Sequence, residues 1–375
     1  MQESLGLAIC CTTYSLGGIE LNVLRLATWM QARGHRCLII GAANSPLVDR
    51  ARVDGIPVLE LTARGRYTVV RSARQLARTL QRERIGTLIL NVNRDLLLGV
   101  LTKRATGNAL ALVHTQHMQF GHAKTDIIHR WQHRQLDAWI SPLPSLAEQT
   151  RRLTSVPAER IHQIPFGIDL KPLLNAPSRE AARAALQLPQ DVFLAGVVGR
   201  LDRGKGQEYL IRAAANLRAD GVDLHLLLVG EETRGEHQGY GHELHMLVKE
   251  LHLGDRVHFL GFIQDASVAY AAMDVFTLTS ISETYGMVTI EAMAAGCPVI
   301  ATNGGGTPDL VGGGDTVLLI PPANTNALAE ALLRIQQDPA LASQLRTSGR
   351  AYALRYFSHD AQCDAIEQLV ERIRR

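Results

Sequence analysis

The sequence predicts an α/β chain of two doubly wound domains, each a parallel sheet with helices on both faces. Three observations predict it. Apolar runs of strand length alternate with helical patterns along the chain, and βαβα order implies parallel strands joined by helical crossovers. The chain has 375 residues, more than a single core of ~250–300 residues organises. Near its middle, Ile164-Pro-Phe-Gly-Ile-Asp-Leu-Lys-Pro172 gathers two prolines and a glycine, a composition suited to a turn between domains. The expected division is 1–168 and 169–357, with a terminal segment 358–375 packing back on the first domain.

The elements follow in order. Leu5-Gly-Leu-Ala-Ile-Cys-Cys-Thr12 reads as a buried strand, Gly17-Gly18 as a loop, and Ile19–Arg33 as a helix stopped by Gly34. Further strands are expected at Cys37–Gly41, Pro57–Leu61, Thr87–Val92, Ala109–Thr115 and Ala138–Ser141. After a helix near Ser178–Leu186, a second set runs through Phe193–Val198, Leu224–Val229, Val257–Leu260, Val275–Thr279, Val299–Ala301 and Val317–Ile320. The last 35 or so residues read as helical, ending in Asp360–Arg374.

Composition narrows the function classes. Hydrophobic residues make up 46% and charged residues 20%, the balance of a soluble globular chain. No apolar run approaches the ~18 residues of a membrane span, and the amino end carries no basic-then-apolar leader, so a cytoplasmic location is expected. The five cysteines, Cys10, Cys11, Cys37, Cys297 and Cys363, lack C-x-x-C spacing and several fall in apolar strand patterns, so they read as reduced core residues. No Cys/His/Asp pattern has zinc-ligand spacing, and no D-x-D occurs to clamp a diphosphate through a divalent ion. No metal and no cofactor is expected.

Net charge divides unevenly. Residues 1–171 hold 22 Lys+Arg against 12 Asp+Glu, a balance of +10; the rest holds 17 against 24, a balance of −7. A basic half suits an anionic partner. Its arginines are not interleaved with aromatics, which total 5% of the chain, so nucleic acid is not expected. Arg71, Arg74, Arg78 and Arg82 recur at helical spacing, with Val70, Ala73, Leu76, Ala77 and Leu80 toward another face. That pattern fits either an anionic membrane surface or a helix whose apolar side covers the sheet.

Three constellations carry chemistry. In Glu283-Thr-Tyr-Gly-Met-Val-Thr-Ile-Glu291, two carboxylates straddle Gly286, where a helix opens. The helix's free N–H groups and positive dipole end suit a diphosphate, with the amides of Tyr285, Gly286 and Met287 nearest to it. In Gly199-Arg200-Leu-Asp-Arg-Gly204-Lys205-Gly206, a guanidinium and an ammonium follow the second domain's first strand, where parallel sheets place ligands. Asn303-Gly-Gly-Gly306-Thr-Pro-Asp309 is a Gly-rich turn that lets the backbone approach a ligand closely.

Together these resemble the retaining glycosyltransferases of family four, which have the GT-B fold. Glu283 and Glu291 match the family's paired glutamates, Arg200 and Lys205 its Arg/Lys pair, and Gly305-Gly306-Thr-Pro-Asp309 its G-G-x-P-E turn. Asp309 departs from the family's glutamate. The resemblance is strongest from Val192 to Pro321 and reaches the amino end, where Gly17-Gly18-Ile-Glu20 looks like the family's G-G-x-E loop beside the donor diphosphate.

The resemblance implies two Rossmann-like domains around a cleft and a nucleotide-diphosphate sugar as donor. The acceptor would be a glycan, lipid-linked or small-molecule hydroxyl, as in cell-surface glycan synthesis. It gives Glu283 the donor sugar's hydroxyls, Glu291 the ribose, and Arg200 and Lys205 the diphosphate. It also asks for a histidine after a first-domain strand. In Leu112-Val-His114-Thr-Gln-His117, His117 matches the T-x-H form, and His114 is the alternative. Competing readings are a sugar-nucleotide epimerase, a disaccharide phosphorylase, or a non-catalytic sugar-nucleotide-binding subunit.

Overall fold

The computed structural model describes residues 4–61, 68–232 and 239–374. The chain divides into two compact units, Met1–Phe166 with His359–Arg375, and Gly167–Ser358. The division falls inside the proline and glycine turn.

In the first unit seven strands form one parallel sheet: β1 (Gly6–Cys11), β2 (Arg36–Ala42), β3 (Val58–Leu61), β4 (Thr87–Leu90), β5 (Ala111–Thr115), β6 (Ala138–Ser141) and β7 (Ile161–Gln163), in the order β3-β2-β1-β4-β5-β6-β7. Every residue of β1 is buried, which is why it reads as an unbroken apolar run. Helices cover both faces. Gly18–Ala32 and His359–Arg374 pack on one side with Met30, Ile366 and Leu369 in the core, while Thr68–Arg82 covers the other with Leu76 and Leu80.

The terminal helix is held by Arg33. Its guanidinium donates to Glu367 at 2.7 Å, to Asp360 at 3.2 Å and also to Asp364. His35 adds a 2.8 Å contact to the same buried Glu367, while its Nδ1 accepts from the Leu5 amide.

The second unit's sheet is also parallel: β8 (Phe193–Val198), β9 (Leu224–Val229), β10 (Val257–Leu260), β11 (Val275–Leu278), β12 (Val299–Thr302) and β13 (Leu318–Ile320), in the order β10-β9-β8-β11-β12-β13. Two doubly wound sheets of seven and six strands are therefore present, in agreement with the fold class read from sequence. In each, strand order reverses beside the unit's first strand, between β1 and β4 and between β8 and β11. Such a reversal opens a crevice at the carboxyl ends of the strands, where ligands of this architecture bind.

Candidate active site

In the second unit the crevice is built from the turns after β8 and β11. The turn after β8 closes as a short 3-10 turn, Arg203–Lys205, whose Asp202 carboxylate accepts the Lys205 amide. Gly206 follows with φ +68°, and a Cβ there would lie 2.3 Å from the Thr279 carbonyl, so only glycine fits. Thr279 Oγ1 donates to the Lys205 carbonyl at 2.7 Å and the Ile281 amide to the Gly204 carbonyl at 2.9 Å. These bonds sew the basic turn to the segment that carries Glu283.

Glu283 is tied on its other side to the Gly-rich turn. The Gly306 amide donates to the Glu283 carbonyl at 2.7 Å. A Cβ on Gly305 would sit 2.2 Å from that same oxygen, and Gly305 has φ +66°. Gly286, φ +74°, caps the helix Met287–Ala295.

The side chains then meet. Lys205 Nζ donates to Glu283 Oε2 at 2.6 Å, and Ser280 Oγ lies 3.3 Å from the same oxygen. Arg200 stays exposed, its guanidinium 3.6 Å from Asp202. Glu291 lies within the helix, half-buried, and accepts from the Tyr270 hydroxyl at 3.1 Å. The Tyr285 ring is buried edge-on to Phe357, so the main chain at 285–287 is what this position offers a ligand. Asp309 belongs to the short helix Thr307–Val311 that follows the Gly-rich turn.

The first unit's crevice is chemically different. After β1, the Gly17 amide donates to Glu20 at 2.8 Å, and Ser15 Oγ bonds the other oxygen of that buried carboxylate, fixing the Gly17-Gly18 loop. His117 lies just past β5, stacked on Phe166 at 4.8 Å, with Nε2 2.9 Å from Asn91 Oδ1. Asn91 Nδ2 donates to the Cys10 carbonyl at 3.2 Å. A carbonyl only accepts, so this contact fixes which end of the amide faces His117, and Oδ1 requires a proton on Nε2. Burial lowers the His117 pKa to about 3. The ring is therefore neutral, with its lone pair on Nδ1.

His114 is sealed inside the sheet against Trp139, centroids 4.1 Å apart, and neither ring nitrogen has a partner among the described residues. Burial lowers its pKa to about 3 as well. Nearby Asp95, also buried, accepts from the Thr12 amide and hydroxyl at 3.1 and 2.6 Å; burial raises its pKa against those bonds.

The structure thus joins Lys205 to Glu283, keeps Arg200 on the same turn, and sets Glu291 along the helix from Gly286. Asn91, Asp202, Ser280 and Tyr270 were not singled out from sequence. Nothing local marks them, because each acts on a partner from another element or through one side-chain contact.

Arg71, Arg74 and Arg78 are exposed, while Ala73, Leu76, Ala77 and Leu80 are buried in the core. Of the two readings of that helix, the apolar side covers the sheet. Among the described residues no helix is long and apolar enough to cross a membrane.

Two family profiles match the chain in succession, Glycosyltransferase Family 4 over residues 16–172 and Glycosyl transferases group 1 over residues 178–352. The chain belongs to glycosyltransferase family four. The crystal structure of a glycosyltransferase from Rickettsia africae superposes with a TM-score of 0.89 at 18% identity, covering 99% of this chain and 98% of that one. The fold of the chain is GT-B.

Among curated relatives, D-inositol 3-phosphate glycosyltransferase 1 of Catenulispora acidiphila is 32% identical over 239 residues, 62% of this chain and 56% of the relative. A lipopolysaccharide core biosynthesis glycosyltransferase of Rhizobium meliloti is 31% identical over 219 residues, 57% of this chain and 61% of the relative. The chain spans little more than half the length of these curated relatives.

Proposed function

We propose that this protein transfers a hexosyl unit from a nucleotide-diphosphate sugar to a hydroxyl acceptor, keeping the anomeric configuration and using no metal. One observation carries the reading. Lys205 from the turn after β8 and Glu283 from the turn after β11 converge within 2.6 Å at the switch point of the second sheet, beside the positive end of the helix Met287–Ala295. A diphosphate there meets the Arg200 and Lys205 cations and the helix-end amides, while Glu283 and Glu291 accept hydrogen bonds from sugar hydroxyls at the two ends of the ligand.

The chemistry follows from that placement. The bond between the anomeric carbon and the diphosphate oxygen breaks, and its electron pair leaves with the diphosphate. The acceptor oxygen bonds the same face of the anomeric carbon, and its proton passes to the departing phosphate oxygen. Arg200, Lys205 and the amides oppose the charge that grows on the leaving group, so they stabilise the transition state more than the ground state. On the resemblance, His117 serves the reacting sugar; neutral and protonated at Nε2, it offers Nδ1 as a hydrogen-bond acceptor.

Two relatives bear on the acceptor. One is named for D-inositol 3-phosphate and one for lipopolysaccharide core biosynthesis, and both names fit the basic first half. The exposed arginines at 71, 74 and 78 support salt-sensitive contact with an anionic bilayer. Reversing the three to glutamate is expected to abolish low-salt sedimentation with anionic vesicles; wild-type sedimentation in that variant refutes the contact.

The deciding experiment incubates the full chain with a panel of nucleotide sugars, with and without EDTA, adding candidate acceptors. Acceptor-dependent release of nucleoside diphosphate that survives EDTA and yields a product of the donor's anomeric configuration is expected. Isomerisation of donor without acceptor indicates an epimerase, and turnover dependent on inorganic phosphate indicates a phosphorylase. Loss in EDTA, restored by magnesium, removes the metal-free mechanism.

A further inference from the structure

A second, smaller site opens in the first unit, on the loops that follow β4 and β5. Its cavity has a volume of about 230 Å³, below the ~300–1,000 Å³ of clefts that enclose drug-sized ligands. It is too small to enclose a nucleotide sugar and large enough for a phosphate with part of its carbon skeleton. Arg94 and Asn93 border it from the loop after β4, Lys124 and Phe120 from the loop after β5, and His129 and His133 from the helix Ile127–Arg134.

The polar groups around it are strongly biased toward donation. Neither Arg94 nor Lys124 forms an ion pair among the described residues, whereas Lys103 is paired with Asp137 and Lys205 with Glu283. Lys124 Nζ lies 2.6 Å from His122 Nε2, which can accept from the ammonium without removing its charge. Two carboxylates lie nearby and both are engaged: Asp126 accepts the Ile128 and His129 amides at 3.0 and 3.1 Å and also contacts His129 Nδ1, while buried Asp95, which attracts Arg94, accepts from the Thr12 amide and hydroxyl.

His133 is the most telling. It is 1% exposed, and its Nδ1 accepts the Ser155 amide at 3.3 Å. Burial lowers its pKa to about 4, so the ring is neutral and the remaining proton sits on Nε2. That N–H has no acceptor among the described residues, on a buried ring that borders the cavity. A fixed donor on a buried ring beside two cations that form no ion pair among the described residues, with Phe120 and Leu96 as apolar lining, is matched by an oxyanion attached to a carbon skeleton.

We propose that this cavity binds the phosphate of a phosphomonoester acceptor, with Arg94 and Lys124 taking its charge and His133 Nε2–H and the Asn93 amide orienting it. That the phosphate belongs to an acceptor rests on the proposed glycosyl transfer; the anion site itself does not. Phe120, which lines the cavity, lies three residues beyond His117 on the loop after β5. Met118, Ile127 and Ile128 are 65%, 85% and 64% exposed. They border the same segment and would meet a lipid if the phosphate were carried on one.

The test uses full-length protein with ¹⁵N-labelled histidine. Glucose 6-phosphate is titrated as the soluble probe, and phosphatidylcholine vesicles with and without phosphatidic acid as the lipid probe. Movement of the His133 Nε2 resonance with glucose 6-phosphate, or with phosphatidic acid vesicles alone, supports the site and tells which source supplies the phosphate. Arg94→Ala with Lys124→Ala, both outside the core, should weaken that response at least tenfold. A His133 resonance that neither probe moves, or a double variant that binds as tightly as wild type, overturns the proposal. Binding of a panel of nucleoside diphosphates, measured separately, reports on the donor reading: failure of every one to bind sinks that reading and leaves the phosphate titration decisive for this one.

Discussion

The two crevices sit at equivalent places in two similar sheets, yet they hold charge in opposite ways. In the second unit the working groups are ions stored as pairs, Lys205 with Glu283 and Arg200 with Asp202. In the first they are neutral and locked, His117 by Asn91 and His114 by burial alone. A stored ion pair can be exchanged for a charged ligand at small net cost, because each ion is already partly desolvated and only changes partner. A neutral ring held by one amide gives direction instead of charge. The contrast implies that substitutions of Lys205 and Glu283 act through electrostatics, and those that touch His117 and His114 through tautomer and proton balance.

The largest break in that comparison is Glu283→Gln. The amide keeps the shape but loses the charge that faces Lys205 and the sugar, so kcat/KM is expected to fall about 10²–10³-fold with the melting temperature nearly unchanged. Turnover like wild type removes Glu283 from the mechanism.

Lys205→Ala should cost on the order of 2–4 kcal/mol in the transition state. It also leaves Glu283, whose side chain is 15% exposed, without its cation, so a drop in stability should accompany the kinetic loss. Calorimetry beside kinetics separates the two, and unchanged kinetics would place the diphosphate elsewhere.

His114→Phe sharpens the contrast from the other side. A histidine whose folded pKa, about 3, lies below its unfolded value of about 6.5 binds a proton more readily in the unfolded chain. Its penalty on stability is absent above pH 6.5 and grows as pH falls toward the folded value. At pH 4.5 the single difference approaches about 2–3 kcal/mol. Phenylalanine does not titrate, so the variant's denaturation midpoint should fall less steeply than wild type between pH 6.5 and 4.5; parallel curves would deny the buried neutral state.

The smallest effect is expected from Asn91→Leu, which removes the acceptor that fixes His117. A loss of about tenfold in kcat with little change in donor KM is expected, together with mixed tautomers in ¹⁵N spectra. Retention of a single Nε2–H tautomer would show that Asn91 does not set it.

Much of the scaffold was legible in the sequence because fully buried parallel strands leave unbroken apolar runs. Phe193–Val198, Leu224–Val229, Val257–Leu260 and Ala138–Ser141 fall at the residues read from that pattern. β7 was missed: Ile161-His-Gln163 is a three-residue edge strand with only its first residue buried, too short for any periodicity. The arginine-bearing helix was legible as amphipathic, but its pattern is the same whether the apolar side meets lipid or a sheet. Only packing against the core separated the two.

Sequence alone determined the alternation of elements, the glycines whose positive φ the turns demand, and the residue types available for anion binding, because these depend on near neighbours in the chain. Tertiary structure decided the partners. Lys205 and Glu283 are 78 residues apart and meet because the sheet order sets β8 beside β11. Asn91 and His117 are 26 apart and meet because β4 lies beside β5. No local pattern carries a distance of that kind, since it is fixed only when the strands between have chosen their neighbours.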